Sequence, residues 1–248
     1  MPFQIVCASH SPQMIDISKD HTSLVRMVKS DTGATSLYQV KREDLKNEEQ
    51  KTDEEIKQKI YELLRFDPFV CESFYADEVV LVEGDSEAII WRGYEQNVGL
   101  SDRNIFVVNC HSCNNIPFYQ KVFSKFNIRY SVICDTDHTS SGDKPGTNKN
   151  GWNMNLDEPK FQSGIQKVIE DLYYEDKNKN LAVQFLVFPM TFEPCHIALD
   201  EPYRYEDSGT DGKPFKADRY WKKIVNHKDE KGFSDVPIIS YIQKIINA

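Results

Sequence analysis

From residue 78 onward the chain repeats one pattern: a short apolar run, a turn, then a longer stretch with apolar residues at helical spacing. The runs Glu78–Val82, Ile105–Asn109, Tyr130–Cys134 and Ala182–Phe188 are nearly continuous in apolar residues, as strands buried on both faces are. The stretches Ser86–Tyr94, Ile116–Phe126 and Gln162–Tyr174 between them carry the spacing of amphipathic helices. Strands alternating with helices of this length predict βαβ units and a parallel sheet. Two further helices are predicted over Ala217–Val225 and Ile238–Ile246.

Before residue 78 the pattern differs. Phe3–Ala8 is a strand-like apolar run with nothing before it to cover it, and it reads as an edge cut from the middle of a longer protein. Ser23–Val28 and Thr35–Val40 predict two strands, with Asp31-Thr32-Gly33 as hairpin turn. Arg42–Lys59 is almost entirely charged and polar, and an apolar face returns at Ile60, Leu63 and Leu64, so a solvated connector helix ending at Pro68 is expected. The chain thus divides into 1–41, a helical connector at 42–75 and a main unit at 76–248. Thr139–Pro159, rich in Ser, Gly, Asn and Lys, predicts a surface loop beside the strand end at Asp135, the edge where parallel sheets bind ligands.

Composition narrows the function. The 248 residues are 40% hydrophobic and 28% charged, the balance of a globular protein and not of a disordered or fibrous one. The 39 acidic against 30 basic residues leave a net charge of −9, so a broad cationic surface that grips nucleic acid non-specifically is not expected; a phosphate-bearing partner needs a bound cation, clustered lysines or another chain. Six irregularly spaced cysteines make no disulfide framework, and no apolar stretch is long enough to span a membrane, so a reducing, cytoplasmic setting is expected.

Two strand ends carry candidate chemistry. In Val79-Val80-Leu81-Val82-Glu83-Gly84-Asp85-Ser86-Glu87, Gly84 is expected to permit a tight strand-to-helix turn that lets Glu83 and Glu87 face one pocket. In Ser131-Val132-Ile133-Cys134-Asp135-Thr136-Asp137-His138, Asp135 and Asp137 leave the end of a neighbouring strand. Each turn alone also fits a helix cap, because Asp, Ser and Glu satisfy exposed N–H groups and the helix dipole. Four carboxylates converging on adjacent strand ends, however, repel one another unless a divalent cation neutralises them, and hard oxygen ligands select Mg²⁺ or Mn²⁺.

Glu-Gly-x-x-Glu after one apolar strand and Asp-x-Asp after another resemble the Toprim domain of topoisomerases, primases and related nucleases, with Asn109–Asn115 at the second strand and turn of that fold. Ile5-Val6-Cys7-Ala8-Ser9-His10-Ser11-Pro12 resembles the final strand and switch histidine of an ABC-type ATPase. An ATPase running into a Toprim domain is the arrangement of the OLD-family (overcoming lysogenization defect) endonucleases. The resemblance implies an α/β fold: a Rossmann-like parallel sheet flanked by helices, with an ATPase remnant before it and C-terminal helices after it. It implies a DNA endonuclease in which Glu83, Glu87, Asp135, Asp137 and Glu193 of Thr191-Phe192-Glu193-Pro194 hold two Mg²⁺ or Mn²⁺ ions. A catalytic lysine is implied as well, at Lys213 or Lys216 of Gly212-Lys213-Pro214-Phe215-Lys216. ATP and dimerisation belong to the ATPase part of a longer parent.

Other motifs count for less. Cys110-x-x-Cys113 with His111 has no second ligand pair at zinc-finger spacing, Cys195-His196 fits a structural pair better than a nucleophile and base, and no P-loop occurs. Two alternatives stay open. Val132–Thr139 also fits the nucleophile loop of haloacid-dehalogenase-like phosphatases, with Asp135 phosphorylated, and a Toprim fold can serve as a docking domain without turnover.

Overall fold

The structure is a computed structural model that describes residues 5–15, 23–39, 68–100, 103–136, 147–148, 152–153, 160–161 and 163–248. The connector expected over Arg42–Lys59, Asp137 and most of the Thr139–Pro159 loop lie outside the described residues.

Four parallel strands form the centre: β3 (Glu78–Val82), β4 (Ile105–Asn109), β5 (Arg129–Asp135) and β6 (Ala182–Phe188), in the order β4-β3-β5-β6. Continuous apolar runs make these strands because both faces are covered. Val79, Leu81, Val132, Cys134 and Val187 point into one core, with α1 (Pro68–Ser73), α3 (Ile116–Lys125) and α4 (Ile165–Lys177). Val80, Val82, Ile133, Leu186 and Phe188 point into the other, with α2 (Asp85–Asn97), α6 (Lys213–Val225) and α7 (Pro237–Ile246). The period of two within each run therefore sorts its side chains into a three-layer α/β/α arrangement.

Helices α2 and α6 approach closely at Gly93, where a Cβ would stand 2.4 Å from the indole Nε1 of Trp221. That indole donates to Asn97 Oδ1 at 3.1 Å. Gly93 is thus required by packing rather than by backbone conformation. At the sheet's other end buried Glu78 pairs with Arg103 at 2.7 Å, and Arg103 also donates to the carbonyls of Ile245 and Ile246, tying the C-terminal end of α7 to β3.

The hairpin pairs β1 (Val25–Lys29) with β2 (Thr35–Gln39), antiparallel. Ser30 and Ala34 close a three-residue loop in which Gly33 takes φ +85°, the left-handed position that a three-residue hairpin loop reserves for glycine. Arg26 fastens the hairpin to the main unit by donating to the carbonyls of Phe126, Asn127 and Ala76.

Several expectations need correction. Residues 5–8 form no strand, and Ile5 and Val6 are exposed: an apolar run becomes a strand only against a partner edge, and none lies beside it among the described residues. Pro68 opens α1 at the first helical position, which suits proline's fixed φ. Helix α5 (Phe192–Ile197) was not anticipated; Pro194 sits in its first turn, where a missing N–H costs nothing. Helix α6 begins at Lys213, not Ala217, because Pro214 favours the first turn instead of delaying the helix.

Candidate active site

In an open parallel sheet the crevice lies beyond the carboxyl ends of the strands, where the strand order reverses. Here the chain leaves β3 towards β4 on one side and returns to β5 on the other, so the reversal falls between β3 and β5. Glu83 follows β3 and Asp135 ends β5, and the Asp135 backbone N–H donates to Glu83 Oε2 at 3.0 Å. The two strand tips are joined through the carboxylate of one and the amide of the other.

Glu87 stands in the first turn of α2, whose N-terminus opens on the same crevice. A carboxylate serving only as a cap would be exposed to water, whereas Glu87 retains 4% of its surface, and Gly84 at the N-cap makes no side-chain cap. Burial pushes its pKa from 4.5 to about 7; backbone N–H groups oppose the rise, and repulsion from Glu83 and Glu193 adds to it. Gly84 has ordinary extended backbone, φ −146°, so the tight turn does not demand glycine. A Cβ there would meet Glu87 Oε2 at 3.4 Å, so the glycine leaves room beside that carboxylate.

The fourth carboxylate comes from α5. Glu193 Oε1 pairs with Lys213 Nζ at 2.9 Å, and Glu193 Oε2 accepts from Thr191 Oγ1 at 3.3 Å. The Glu193 contact is the main reason the Lys213 ammonium holds its proton more tightly than usual, and Asp135 and Glu87 add to the effect. Lys213 is the first residue of α6, where a cation opposes the helix dipole, so its position is one that the carboxylates stabilise and the helix does not. Lys216 is elsewhere: its Nζ contacts Asp207 Oδ1 at 2.8 Å and the Asp207 carbonyl at 3.0 Å.

Thiols nearby feel the same field. Burial, with Glu83 adding, pushes Cys110 well up; burial, with Asp135 and Glu193 adding, pushes Cys195 to about 11. Both stay protonated and uncharged near neutral pH. His196 is fully buried and its pKa falls to about 4 through desolvation; its Nδ1 meets the Phe192 carbonyl at 2.6 Å and its Nε2 accepts from the Ile238 amide at 3.2 Å. This neutral, doubly held imidazole is a structural link between α5 and α7. Cys110 and Cys113 point into the core while His111 is exposed at φ +59°, so the three do not converge on a zinc ion.

Sequence reasoning missed one polar group in the crevice. Asn109, buried at the tip of β4, donates to Asp85 Oδ1 at 2.7 Å and accepts from the His111 amide at 2.8 Å, bracing the α2 turn against the next loop. Its signal was a single amide ending an otherwise apolar run, Ile105–Asn109.

The donor set is the kind a hard divalent cation takes: carboxylate oxygens only, one of them buried so that its pKa rises to about 7 with its acidic neighbours adding to the rise, and a lysine ammonium already drawn to them. Among the described residues no three His, Cys, Asp or Glu side chains are yet close enough to hold an ion. Glu83, Glu87, Asp135 and Glu193 are therefore neighbours, not a finished coordination sphere.

The four-stranded parallel sheet flanked by helices is a Toprim-type, Rossmann-like α/β fold. Residues 74–137 match the family model of the Overcoming lysogenization defect protein-like TOPRIM domain. No curated protein matches the chain. Toprim domains in general are metal-dependent modules that process nucleic acid, typically with ions such as Mg²⁺, and the match supports that class of function. No described helix is long and apolar enough to cross a membrane.

Proposed function

We propose that the protein is a metal-dependent DNA endonuclease, the nuclease part of an ATPase-coupled protein whose ATPase portion ends within residues 1–41. The observation that carries the reading is the meeting of Glu83, Glu87, Asp135 and Glu193 at one crevice, with Glu87 buried and its pKa near 7. Glu83, Glu87 and Asp135, with Asp137 beside them in the chain, would hold one or two Mg²⁺ or Mn²⁺ ions, and Glu193 would complete the set. When bound, such ions supply activation of the attacking water and cancellation of charge on the scissile phosphate.

The remaining work falls to the chain's own groups. Asp135 is anchored through its amide on Glu83, which fixes the gap between the two strand tips. Lys213, 73% exposed, can leave Glu193 without disturbing the core and place its ammonium against the charge that builds on the phosphate in the transition state. Thr191 keeps Glu193 oriented while the lysine moves. A phosphatase that uses Asp135 as nucleophile gives no role to Glu83 or Glu87, which this structure brings to the same crevice.

The test is nicking of supercoiled plasmid in Mg²⁺ and in Mn²⁺, beside hydrolysis of p-nitrophenyl phosphate. Metal-dependent nicking with no phosphomonoester turnover is expected. Phosphomonoester turnover without nicking would favour the phosphatase, and neither activity, with the fold intact, would favour a docking domain.

A further inference from the structure

Helix α6 continues from Lys213 into an outer side that carries Lys216, Arg219, Lys222 and Lys223 with Phe215 among them, and a single acid, Asp218, paired with Lys222 at 2.7 Å. Phe215 is 74% exposed, in the first turn, one residue from Pro214 and two from the lysine that meets Glu193. It serves no core, because Ala217, Tyr220, Trp221 and Ile224 occupy the buried side of the same helix. A large aromatic ring standing in water between cations suits one ligand chemistry in particular, a nucleic-acid strand whose bases stack while its phosphates meet the ammonium and guanidinium groups.

In this structure that face is taken by acidic groups of the chain itself. Residues 200–211 contain Asp200, Glu201, Glu206, Asp207 and Asp211 against a single cation, Arg204. Asp207 holds Lys216 at 2.8 Å, Asp211 holds Arg219 at 3.0 Å, and Glu201 and Glu206 hold Lys223 at 2.7 and 3.3 Å. The partners of Lys216, Arg219 and Lys223 come from one segment and fall on successive turns of one face, as a strand of phosphates would, while Lys222 stays on Asp218 of the helix itself. The four carboxylates are each more than half exposed, so water screens these pairs from the acidic side and weakens them, and phosphate oxygens can take the carboxylates' place on lysine and arginine.

We propose that the outer face of α6, with Phe215 as stacking platform, binds an unpaired nucleic-acid strand leading to the carboxylate crevice, and that the acidic segment 200–211 occupies this face until the strand displaces it. The proposal deepens the nuclease reading and rests on it. It also accounts for nucleic-acid binding by a chain of net charge −9, since the competing charge is local and removable.

The experiment measures binding of a fluorescein-labelled single-stranded oligonucleotide by anisotropy in EDTA, with the same sequence as duplex in a second arm. Phe215→Ala should weaken single-strand binding by about 10-fold or more and duplex binding less, and Phe215→Trp should restore it. The combined variant Glu201→Gln, Glu206→Gln, Asp207→Asn, Asp211→Asn should bind more tightly than Asp171→Asn with Glu175→Gln, whose carboxylates are likewise exposed and paired with lysines but lie on α4. Two further outcomes each overturn the proposal: Phe215→Ala binding like the wild type, or the four-site variant gaining no more per charge than the control. Because no metal is present and nothing is cut, either result can stand beside intact plasmid nicking, so failure here is distinct from failure of the nuclease reading.

Discussion

Replacing Glu87 by Gln removes one ionisable proton from the buried crevice and nearly nothing else. In the folded protein this carboxyl titrates near 7 against 4.5 when exposed, and burial is the main cause. At about 1.4 kcal/mol per pH unit the displacement is worth about 3 kcal/mol. The sign follows from proton counting. Below pH 4.5 both states hold the proton and no difference arises. Between 4.5 and 7 the unfolded chain has lost it while the folded protein keeps it, so stability falls as pH rises; above 7 the full cost is present. Urea denaturation of the wild type and of Glu87→Gln in EDTA, at steps from pH 5 to pH 8.5, isolates the effect. His196, with a folded value of about 4, destabilises both proteins alike as pH falls below 6.5, and the comparison cancels it. The variant should match the wild type near pH 5 and exceed it by up to about 3 kcal/mol at pH 8.5. Millimolar Mn²⁺ should then stabilise the wild type more than the variant, since a bound cation offsets the cost of keeping that buried carboxylate charged. Parallel pH profiles for the two proteins would refute the claim that Glu87 is a buried, crowded carboxylate.

Asp135→Ala should abolish nicking in both metals while thermal melting in EDTA stays close to wild type, because the residue ends its strand and packs no core; plasmid assays and a melting curve decide it. Lys213→Ala should lower single-turnover cleavage by about 10²-fold without weakening Mn²⁺ binding, whereas Lys216→Ala, whose ammonium lies on Asp207, should leave the cleavage step on bound DNA near the wild-type rate. Equal rates for wild type and Lys213→Ala would remove the lysine from the mechanism. Gly93→Ala drives a methyl group into Trp221 and should cost about 1–3 kcal/mol, read as a drop of several degrees in Tm; an unchanged Tm would show that α2 and α6 are not packed as described.

The sheet was legible because its strands are buried on both faces. Glu78–Val82, Ile105–Asn109 and Ala182–Phe188 begin and end where the apolar runs do. The helices were found with ends misplaced by a few residues, as at α6, expected from Ala217 but starting at Lys213 with Pro214 in its first turn. Helix α5, with Pro194 in its first turn, was not anticipated, and with it the way Glu193 reaches the crevice. Glu83 and Asp135 could be placed at strand ends, and Glu87 in the first turn of the following helix, from spacing alone. What spacing could not carry was pairing across distant segments. That Lys213 meets Glu193 and Lys216 meets Asp207 depends on how α5 and the 200–211 segment fold back over α6, and no local pattern records it. Ile5 and Val6 show the converse, since a run of strand-forming residues specifies a strand only where another edge is available.

Whether the carboxylates between β3 and β5 take a divalent metal is decided by crystals soaked in Mn²⁺ and measured for anomalous scattering. A peak is expected within about 2 Å of carboxylate oxygens from Glu83, Glu87 or Asp135, with Lys213 drawn away from Glu193. A crevice without a peak, with Lys213 still on Glu193 in millimolar Mn²⁺, would contradict a metal site there.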